Sequence, residues 1–182
     1  MALREAILAC LTVEPMSGYD LAKYFDNSIG FFWHASHPQI YRELKKLRDE
    51  GLVEATEVVQ SGKPNRIEYA LRRAGRKALR HWSREATSPP PVKDDLLVRL
   101  YALDDIDLGA LRQQLITRRA HHAERLARYE TIQKRHFSGA VEDGVRLGRL
   151  LGLELGLRYE RGWLEWCEEA LERLPTASTE SP

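Results

Sequence analysis

The chain has 182 residues, of which 30% are charged and 43% hydrophobic, and its formal net charge is +1 at pH 7. These values are typical of an ordinary globular protein of one large or two small domains, and the balanced charge excludes any whole-chain argument for nucleic acid. The two cysteines, Cys10 and Cys167, form no CxxC pair, which argues against a zinc finger and against a disulfide-built secreted domain.

The first two predicted helices each have one apolar face. In the first helix, this face consists of Leu3, Ile7, Leu8 and Leu11. The second helix is predicted to begin with a capping box, because Asp20 follows Ser17 by three residues. Its apolar stripe consists of Leu21, Ala22 and Phe25. A loop over residues 27–35 follows.

The third predicted helix has an apolar and a basic face. Ser36 and Gln39 form a second capping box at its start, and Gly51 stands where a glycine cap ends a helix. The inward positions are Ile40, Leu44 and Leu47. The outward positions are Gln39, Tyr41, Arg42, Lys45 and Lys46. We expect the first two to reach base edges and the three cations to contact bases or phosphates.

Two alternating segments, residues 52–60 and 66–72, predict a β-hairpin. Its predicted buried face consists of Ile67, Tyr69 and Leu71. The basic tip of the hairpin carries Lys63 and Arg66, which suit contacts with phosphates or the minor groove.

A fourth helix, over about residues 74–85, is predicted to bury Leu79 and Trp82. The proline-rich segment 88–91 then predicts a stiff linker, which divides the chain into domains over residues 1–86 and 92–174. The polar tail, residues 175–182, is predicted to be disordered.

A helix followed by a basic hairpin and another helix is the layout of a winged helix-turn-helix, in which one helix enters the DNA major groove. The local charge agrees with this interpretation. Residues 37–84 hold 12 Lys or Arg against 6 Asp or Glu, whereas residues 87–182 hold 14 against 16. The alternative is a solvated basic helix in some other α+β domain. The order and spacing of the elements favour DNA binding.

Three runs of sequence resemble the N-terminal domain of the PadR family of bacterial transcriptional regulators: SGYDLAKYF, SHPQIYRELKKLRDEGLV and YALRRAGRKALRHW. In that family the second run is the recognition helix that leads into the wing. Two later runs, PPVKDDLLVRLYAL and LGLRYERGWLEWCEEAL, resemble the C-terminal domain of the larger, virulence-activator-like PadR subfamily. The chain departs from the family at Arg73, where Thr or Ser usually precedes the fourth helix, so we expect a weaker N-cap.

The C-terminal part is predicted to be all helix: a short helix over residues 94–103, a long one capped by Asp107, and a last one ending near Leu174. In the last helix, glycine recurs every fourth residue at Gly144, Gly148, Gly152 and Gly156. Because each glycine weakens a helix by up to ~1 kcal/mol, four on one side indicate close backbone packing. With Leu151 and Leu155 they form either a dimer interface or an intrachain contact. The resemblance implies a homodimerisation domain.

Three consecutive aromatic residues, Phe31, Phe32 and Trp33, cannot all face one core. They either fill the gap between the domains, which we favour, or line a pocket with Trp82 for a flat apolar effector. The resemblance implies such an effector, because some PadR-like regulators respond to phenolic or other hydrophobic compounds.

No catalytic or cofactor motif is found in the sequence, and neither His34 with His37 nor His121 with His122 has an obvious third metal ligand. We therefore predict neither an enzyme nor a metal or cofactor site. The N-terminus does not read as a signal peptide, and region 145–157 is too short and charged to cross a bilayer, so we expect a cytoplasmic protein with no membrane partner.

The sequence thus predicts a mainly α protein with a small β-hairpin wing, in which a winged helix-turn-helix precedes a helical dimerisation domain. Its predicted function is a homodimeric regulator, in the first place a repressor, on a double-stranded, pseudo-palindromic operator. The alternative is a winged-helix adaptor that binds proteins and never DNA.

Overall fold

The computed structural model describes residues 3–27, 35–59, 62, 65–89, 91–139 and 143–175. The chain divides into two compact units, Met1–Ser88 and Pro89–Pro182. The first combines helices with a small sheet, and the described part of the second is helical.

The N-terminal unit is a winged helix-turn-helix. Its elements in chain order are α1 (Leu3–Cys10), β1 (Met16–Ser17), α2 (Gly18–Asn27), α3 (His37–Asp49), β2 (Val53–Val58), β3 (Arg66–Leu71) and α4 (Arg73–Trp82). The strands form an antiparallel sheet in the order β1-β3-β2. Met16 pairs with Tyr69, and Val53 pairs with Leu71 at the base of the wing.

Local sequence signals determine where the helices begin and end. At the start of α2, the Ser17 hydroxyl donates to the Asp20 carboxylate at 2.7 Å and accepts from the Asp20 backbone N–H at 3.1 Å. At the start of α3, the Ser36 backbone N–H donates to Gln39 Oε1 at 2.8 Å. After α3, Gly51 has a φ of 71°, which residues with a Cβ rarely adopt. The capping box at Ser36 and the predicted glycine stop are confirmed. At Ser17 only half of the predicted capping box is shown, because the Asp20 carboxylate accepts from the Ser17 hydroxyl.

The core of the N-terminal unit lies where α1, α2, α3 and the base of the sheet meet. Its buried residues are Ile7, Leu8, Cys10, Leu11, Met16, Leu21, Ala22, Phe25, Ile40, Leu44, Leu47, Leu52, Val53 and Tyr69. The apolar faces predicted for the first three helices are therefore largely confirmed. This packing holds the apolar face of α3 against the core and leaves the opposite face of the helix exposed to solvent.

The structure corrects several predictions in this unit. Strand β1 is an addition, because two residues carry no readable alternation. Ile67 is exposed rather than buried, since the hairpin extends past the core and only its base is covered. Helix α4 ends at Trp82, so this indole is 37% exposed at the last turn, while Leu79 is partly buried against the core. The N-cap of α4 is Arg72 and not the predicted Arg73, which is the first residue of the helix; the Arg72 side chain forms no cap hydrogen bond.

The C-terminal unit consists of α5 (Asp95–Tyr101), a 3-10 turn (Leu103–Asp105), α6 (Leu108–His136) and α7 (Gly144–Arg173). The carboxylates of Asp94, Asp107 and Asp143 accept backbone N–H groups at the starts of the three α-helices. Side-chain contacts between α6 and α7 run in opposite chain directions, so the two helices are antiparallel. Within the described ranges, no helix is long and apolar enough to cross a membrane.

A second core joins the short helix to the antiparallel pair. Its buried residues are Leu96, Leu111, Leu115 and Cys167. Burial raises the pKa of the Cys167 thiol, so this cysteine is a packing residue and not a reactive thiolate. At the end of α7, the Arg112 guanidinium donates to the carbonyls of Leu171 and Leu174 at 2.9 and 3.0 Å and so caps the helix.

Candidate nucleic-acid interface

Helix α3 presents a fixed cationic surface. Ile40, Leu44 and Leu47 are each 0% exposed, so the rotation of the helix about its axis is set by the core. The residues predicted on the opposite side are all exposed: Gln39, Tyr41, Arg42, Lys45 and Lys46. The structure therefore brings these five predicted residues together on one solvent-facing side.

The partners that the described residues offer to the cations on this surface are weak. Arg42 Nε donates to the Pro38 carbonyl at 3.3 Å, and Lys46 Nζ lies 3.4 Å from the Glu43 carboxylate. Exposed contacts of this kind contribute about 0–1 kcal/mol, so they can be exchanged for phosphate contacts at little cost. The surface is thus positive and adaptable.

Two residues near the start of α3 are more constrained than the sequence predicts. The Gln39 side-chain oxygen accepts from the Ser36 N–H, so the amide NH₂ is the group left to face a base. Only a single donor contact, and not a two-bond contact with adenine, is compatible with this capping box. The Tyr41 ring lies over Gly18, where an added methyl group would overlap it. This contact fixes the start of α2 against α3.

Of the two cations predicted on the wing, the described one, Arg66, is less free than predicted. Arg66 opens β3, and its guanidinium lies 3.7 Å from Asp20 and is hydrogen-bonded to Glu68. A phosphate would have to compete with these two carboxylates for Arg66. Lys63, the other predicted wing contact, lies outside the described residues.

The predicted effector pocket is only partly described. Phe31, Phe32 and Trp33 lie outside the described residues. Trp82 stands half-exposed at the end of α4 in the N-terminal unit.

The four regularly spaced glycines of α7 have different surroundings. Gly144 and Gly148 are exposed, and a Cβ on either would meet nothing within 4 Å. A Cβ on Gly156 would stand 3.1 Å from the Tyr129 ring of α6, so intrachain packing accounts for this glycine. Gly152 is half-buried. Packing within one chain thus explains the end of the series and not its beginning.

Beside the first glycines runs an uncovered apolar stripe. Its members recur every four residues and are 47–70% exposed: Leu147, Leu151, Leu155 and Tyr159. Large apolar side chains in a continuous row are typical of an interaction surface. The predicted interface residues Leu151 and Leu155 both belong to this row.

The sequence does not reveal a buried polar network between α6 and α7. Glu160 is 1% exposed, and its carboxylate lies 2.5 Å from His122 Nδ1 and 2.8 Å from Arg125 Nε. The Arg125 guanidinium in turn donates to the Tyr129 hydroxyl at 2.7 Å, and burial raises the pKa of that hydroxyl. A buried carboxylate needs such partners, because an unpaired one costs several kcal/mol.

The network continues through an aromatic stack. The His122 ring lies parallel to Trp163 with centroids 5.3 Å apart, and the Arg118 guanidinium stands 5.0 Å from the same indole. Arg118 also forms an ion pair with Asp94, which holds the pKa of that carboxyl below its usual range. A continuous series of side-chain contacts therefore connects the N-cap of α5 with the centre of the α6–α7 pair.

Two family models match the chain, one in each unit. The PadR-like transcriptional regulator family matches residues 7–81, and the virulence activator alpha C-terminal family matches residues 92–175. The divide between the two matches lies close to the boundary between the compact units.

Two relatives are similar over nearly the whole chain. The "Probable transcriptional regulator Rv1176c" of Mycobacterium tuberculosis is 38% identical, over 96% of this chain and 98% of its own. The "Negative transcriptional regulator PadR" of Bacillus subtilis is 32% identical, over 93% of this chain and 95% of its own.

Solved structures are also similar over nearly the whole chain. Bacillus subtilis PadR in complex with operator DNA has a TM-score of 0.82 at 28% identity, over 96% of this chain and all of that one. The structure of the same protein in complex with p-coumaric acid has a TM-score of 0.75 at 27% identity, over 96% of this chain and 99% of that one. The structure of the Vibrio cholerae virulence activator AphA has a TM-score of 0.77 at 34% identity, over 94% of this chain and 97% of that one.

Proposed function

Because the chain belongs to the PadR family of transcriptional regulators, we propose that it is a repressor that binds a pseudo-palindromic operator as a homodimer. The observation that carries this proposal is the cationic face of α3, held outward by a fully buried opposite face. It acts in the cytoplasm, where the chromosome lies. Its named relatives are regulators, and we propose no catalytic activity.

Helix α3 enters the major groove with its N-terminal end toward the bases. Arg42 lies about one turn beyond Gln39 and Lys45 nearly two, where they reach guanine edges or the flanking phosphates. The Gln39 amide offers a donor to a base acceptor. Lys63 and Arg66 on the wing contact the backbone and contribute to affinity without reading sequence.

The dimer forms through the apolar stripe of α7. A second copy would cover Leu147, Leu151, Leu155 and Tyr159, and Gly144 and Gly148 allow its backbone to approach closely. Two-fold symmetry would place the two copies of α3 about 34 Å apart, the length of one DNA turn. Leu151→Arg is expected to give a monomer by light scattering, whereas the exposed control Val98→Arg stays dimeric. A dimeric Leu151→Arg protein would contradict this interface.

Repression follows from occupying the promoter and excluding polymerase. The Bacillus subtilis relative is described as a negative regulator, whereas AphA is described as an activator. A reporter fused to the regulated promoter decides between them: deleting the gene for this protein raises expression from a repressed promoter and lowers it from an activated one.

A small aromatic effector releases the operator. The Bacillus subtilis relative has been solved with p-coumaric acid, which supports a flat, phenolic class of ligand. With Phe31, Phe32, Trp33 and Trp82 as the proposed lining, hydroxycinnamic acids should change the tryptophan emission and lower operator affinity. Unchanged emission and affinity across such a panel would reject the effector.

Operator reading is tested by fluorescence anisotropy with the DNA upstream of the gene and with an unrelated duplex of equal length. Arg42→Ala should weaken binding to the upstream DNA by about 1–3 kcal/mol and reduce discrimination. Lys63→Ala should lower affinity for both duplexes alike. Arg119→Ala, an exposed arginine of α6, serves as the control.

The rival function is a protein-interaction adaptor. The adaptor would be favoured if the wild-type protein did not bind the upstream DNA, or if its affinity for that DNA did not change with salt concentration. Equal operator affinity of wild type and Arg42→Ala would also favour it.

A further inference from the structure

Helix α4 carries a second cationic surface. From Tyr69 to Arg84 the chain has six Lys or Arg and no Asp or Glu. Four of them, Arg73, Arg76, Lys77 and Arg80, stand at helical spacings i, i+3, i+4 and i+7. At 100° per residue these positions fall within about 100° of arc and about 10.5 Å of helix length. They therefore form one continuous patch, the α4 face.

Packing on the other side fixes the direction of the α4 face. Ala78 and Leu79 pack against the core of the N-terminal unit, and Gly75 is buried. A Cβ on Gly75 would overlap the carbonyl of Leu52 at the base of the wing, so α4 sits tightly against that strand. The helix cannot rotate to hide its cations. All four are exposed.

The part of the chain that the structure describes supplies no counter-charge to the α4 face. Among the described residues, neither ion pairs nor hydrogen bonds connect these four side chains to an acid. Their neighbour Arg72 does have a partner, since its guanidinium lies 3.5 Å from Glu54. Like charges at i+3 and i+4 destabilise a helix, so the arrangement suits a polyanion that supplies the missing charge.

The chemistry of the patch favours phosphate. Three of the four cations are arginines, whose planar guanidinium binds phosphate oxygens through two hydrogen bonds. The face also lies away from the tip of the wing. Helix α4 begins beside Leu52 at the base of the hairpin, whereas the wing turns at Gly62 at the opposite end of the strands. A ligand on α4 therefore does not have to displace one at the wing tip.

We propose that the α4 face is a second DNA-contacting surface, which binds the phosphate backbone of duplex DNA without reading sequence. It rests on the chain being a DNA-binding protein, and it adds affinity to the sequence-specific contact made by α3. Each side chain that neutralises one phosphate contributes about 0.9 to the slope of log affinity against log salt.

The test is a triple variant, Arg73→Gln with Arg76→Gln and Arg80→Gln, in the full chain. Glutamine keeps a high helix propensity, and a thermal melt verifies the fold. The matched control neutralises three exposed cations of the C-terminal unit, Arg119→Gln with Arg128→Gln and Lys134→Gln. Binding is measured from 50 to 200 mM salt on the upstream fragment and on an unrelated duplex of equal length.

The triple variant removes three contacts from each of the two protomers, so the salt slope should fall by about 5.4 on both duplexes. The loss of affinity between 50 and 200 mM salt should then be about 1,800-fold smaller than for wild type. Discrimination between the duplexes should stay unchanged. An unaltered slope with preserved operator preference would overturn the α4 proposal alone and point to an acidic protein as the occupant. Absence of operator preference in wild type would instead reject the proposed operator function, and the slope on the unrelated duplex would still test α4.

Discussion

Replacing Glu160 by Gln tests how the C-terminal unit is held together. The substitution keeps the volume and removes the charge of a carboxylate that is 1% exposed between α6 and α7. Its two partners, His122 and Arg125, approach to 2.5 and 2.8 Å. No cavity is created, so the effect reports the polar network.

Breaking a buried ion pair from one side costs about 3–5 kcal/mol. We expect the lower end, about 3 kcal/mol, because the Arg125 side chain is 29% exposed and can partly turn to water. With a typical urea dependence of about 2 kcal/mol per molar, the unfolding midpoint should fall by roughly 1.5 M.

Urea unfolding at fixed protein concentration, followed by circular dichroism and tryptophan emission, measures this change. Trp163 stacks on His122 and so reports on the network directly. Glu165→Gln is the matched control, because this exposed glutamate lies on the same helix, and it should shift stability by at most ~0.5 kcal/mol. Equal midpoints for the two variants would refute the reasoning.

Three further outcomes follow from particular contacts. Gly18→Ala should weaken operator binding and lower thermal stability, because the added methyl displaces the Tyr41 ring; a variant with wild-type affinity and melting temperature would contradict this. The Arg118 hydrogen bond lowers the pKa of Asp94, so its contribution is present above the unfolded value of about 3.9 and lost as pH falls through the folded pKa; Asp94→Asn should be less stable at pH 7, with the gap to wild type closing in acid titrations. Cys167, at 0% exposure with a raised pKa, should resist alkylation at pH 8 until urea unfolds the protein; rapid labelling of the native protein would disprove its burial.

Signals that act over a few residues could be predicted from the sequence. The capping pairs at Ser17 and Ser36 and the stop at Gly51 each depend on groups within one turn. The structure confirms the pair at Ser36 and the stop, and it shows half of the pair at Ser17. The family prediction is also confirmed, since its motifs are local runs that the family models match. The exposure of the α3 cations follows in the same way from the periodicity of its apolar residues.

Features that depend on distant residues could not be predicted. His122 and Glu160 are 38 positions apart, and their contact depends on the register of two antiparallel helices, which no local pattern encodes. The exposure of Ile67 likewise depends on how far the core extends under the hairpin. For Arg66, charge alone suggested a phosphate contact, whereas the neighbouring carboxylates become visible only once the strands and α2 are placed.

Footprinting of the purified protein on the DNA upstream of its own gene tests the central proposal most directly. We predict two protected half-sites related by a dyad, with centres about 10 bp, or a multiple of that, apart, and loss of both in Arg42→Ala. A wild-type protein that protects no site, or protects all sequences evenly, would show that the cationic face of α3 does not read DNA.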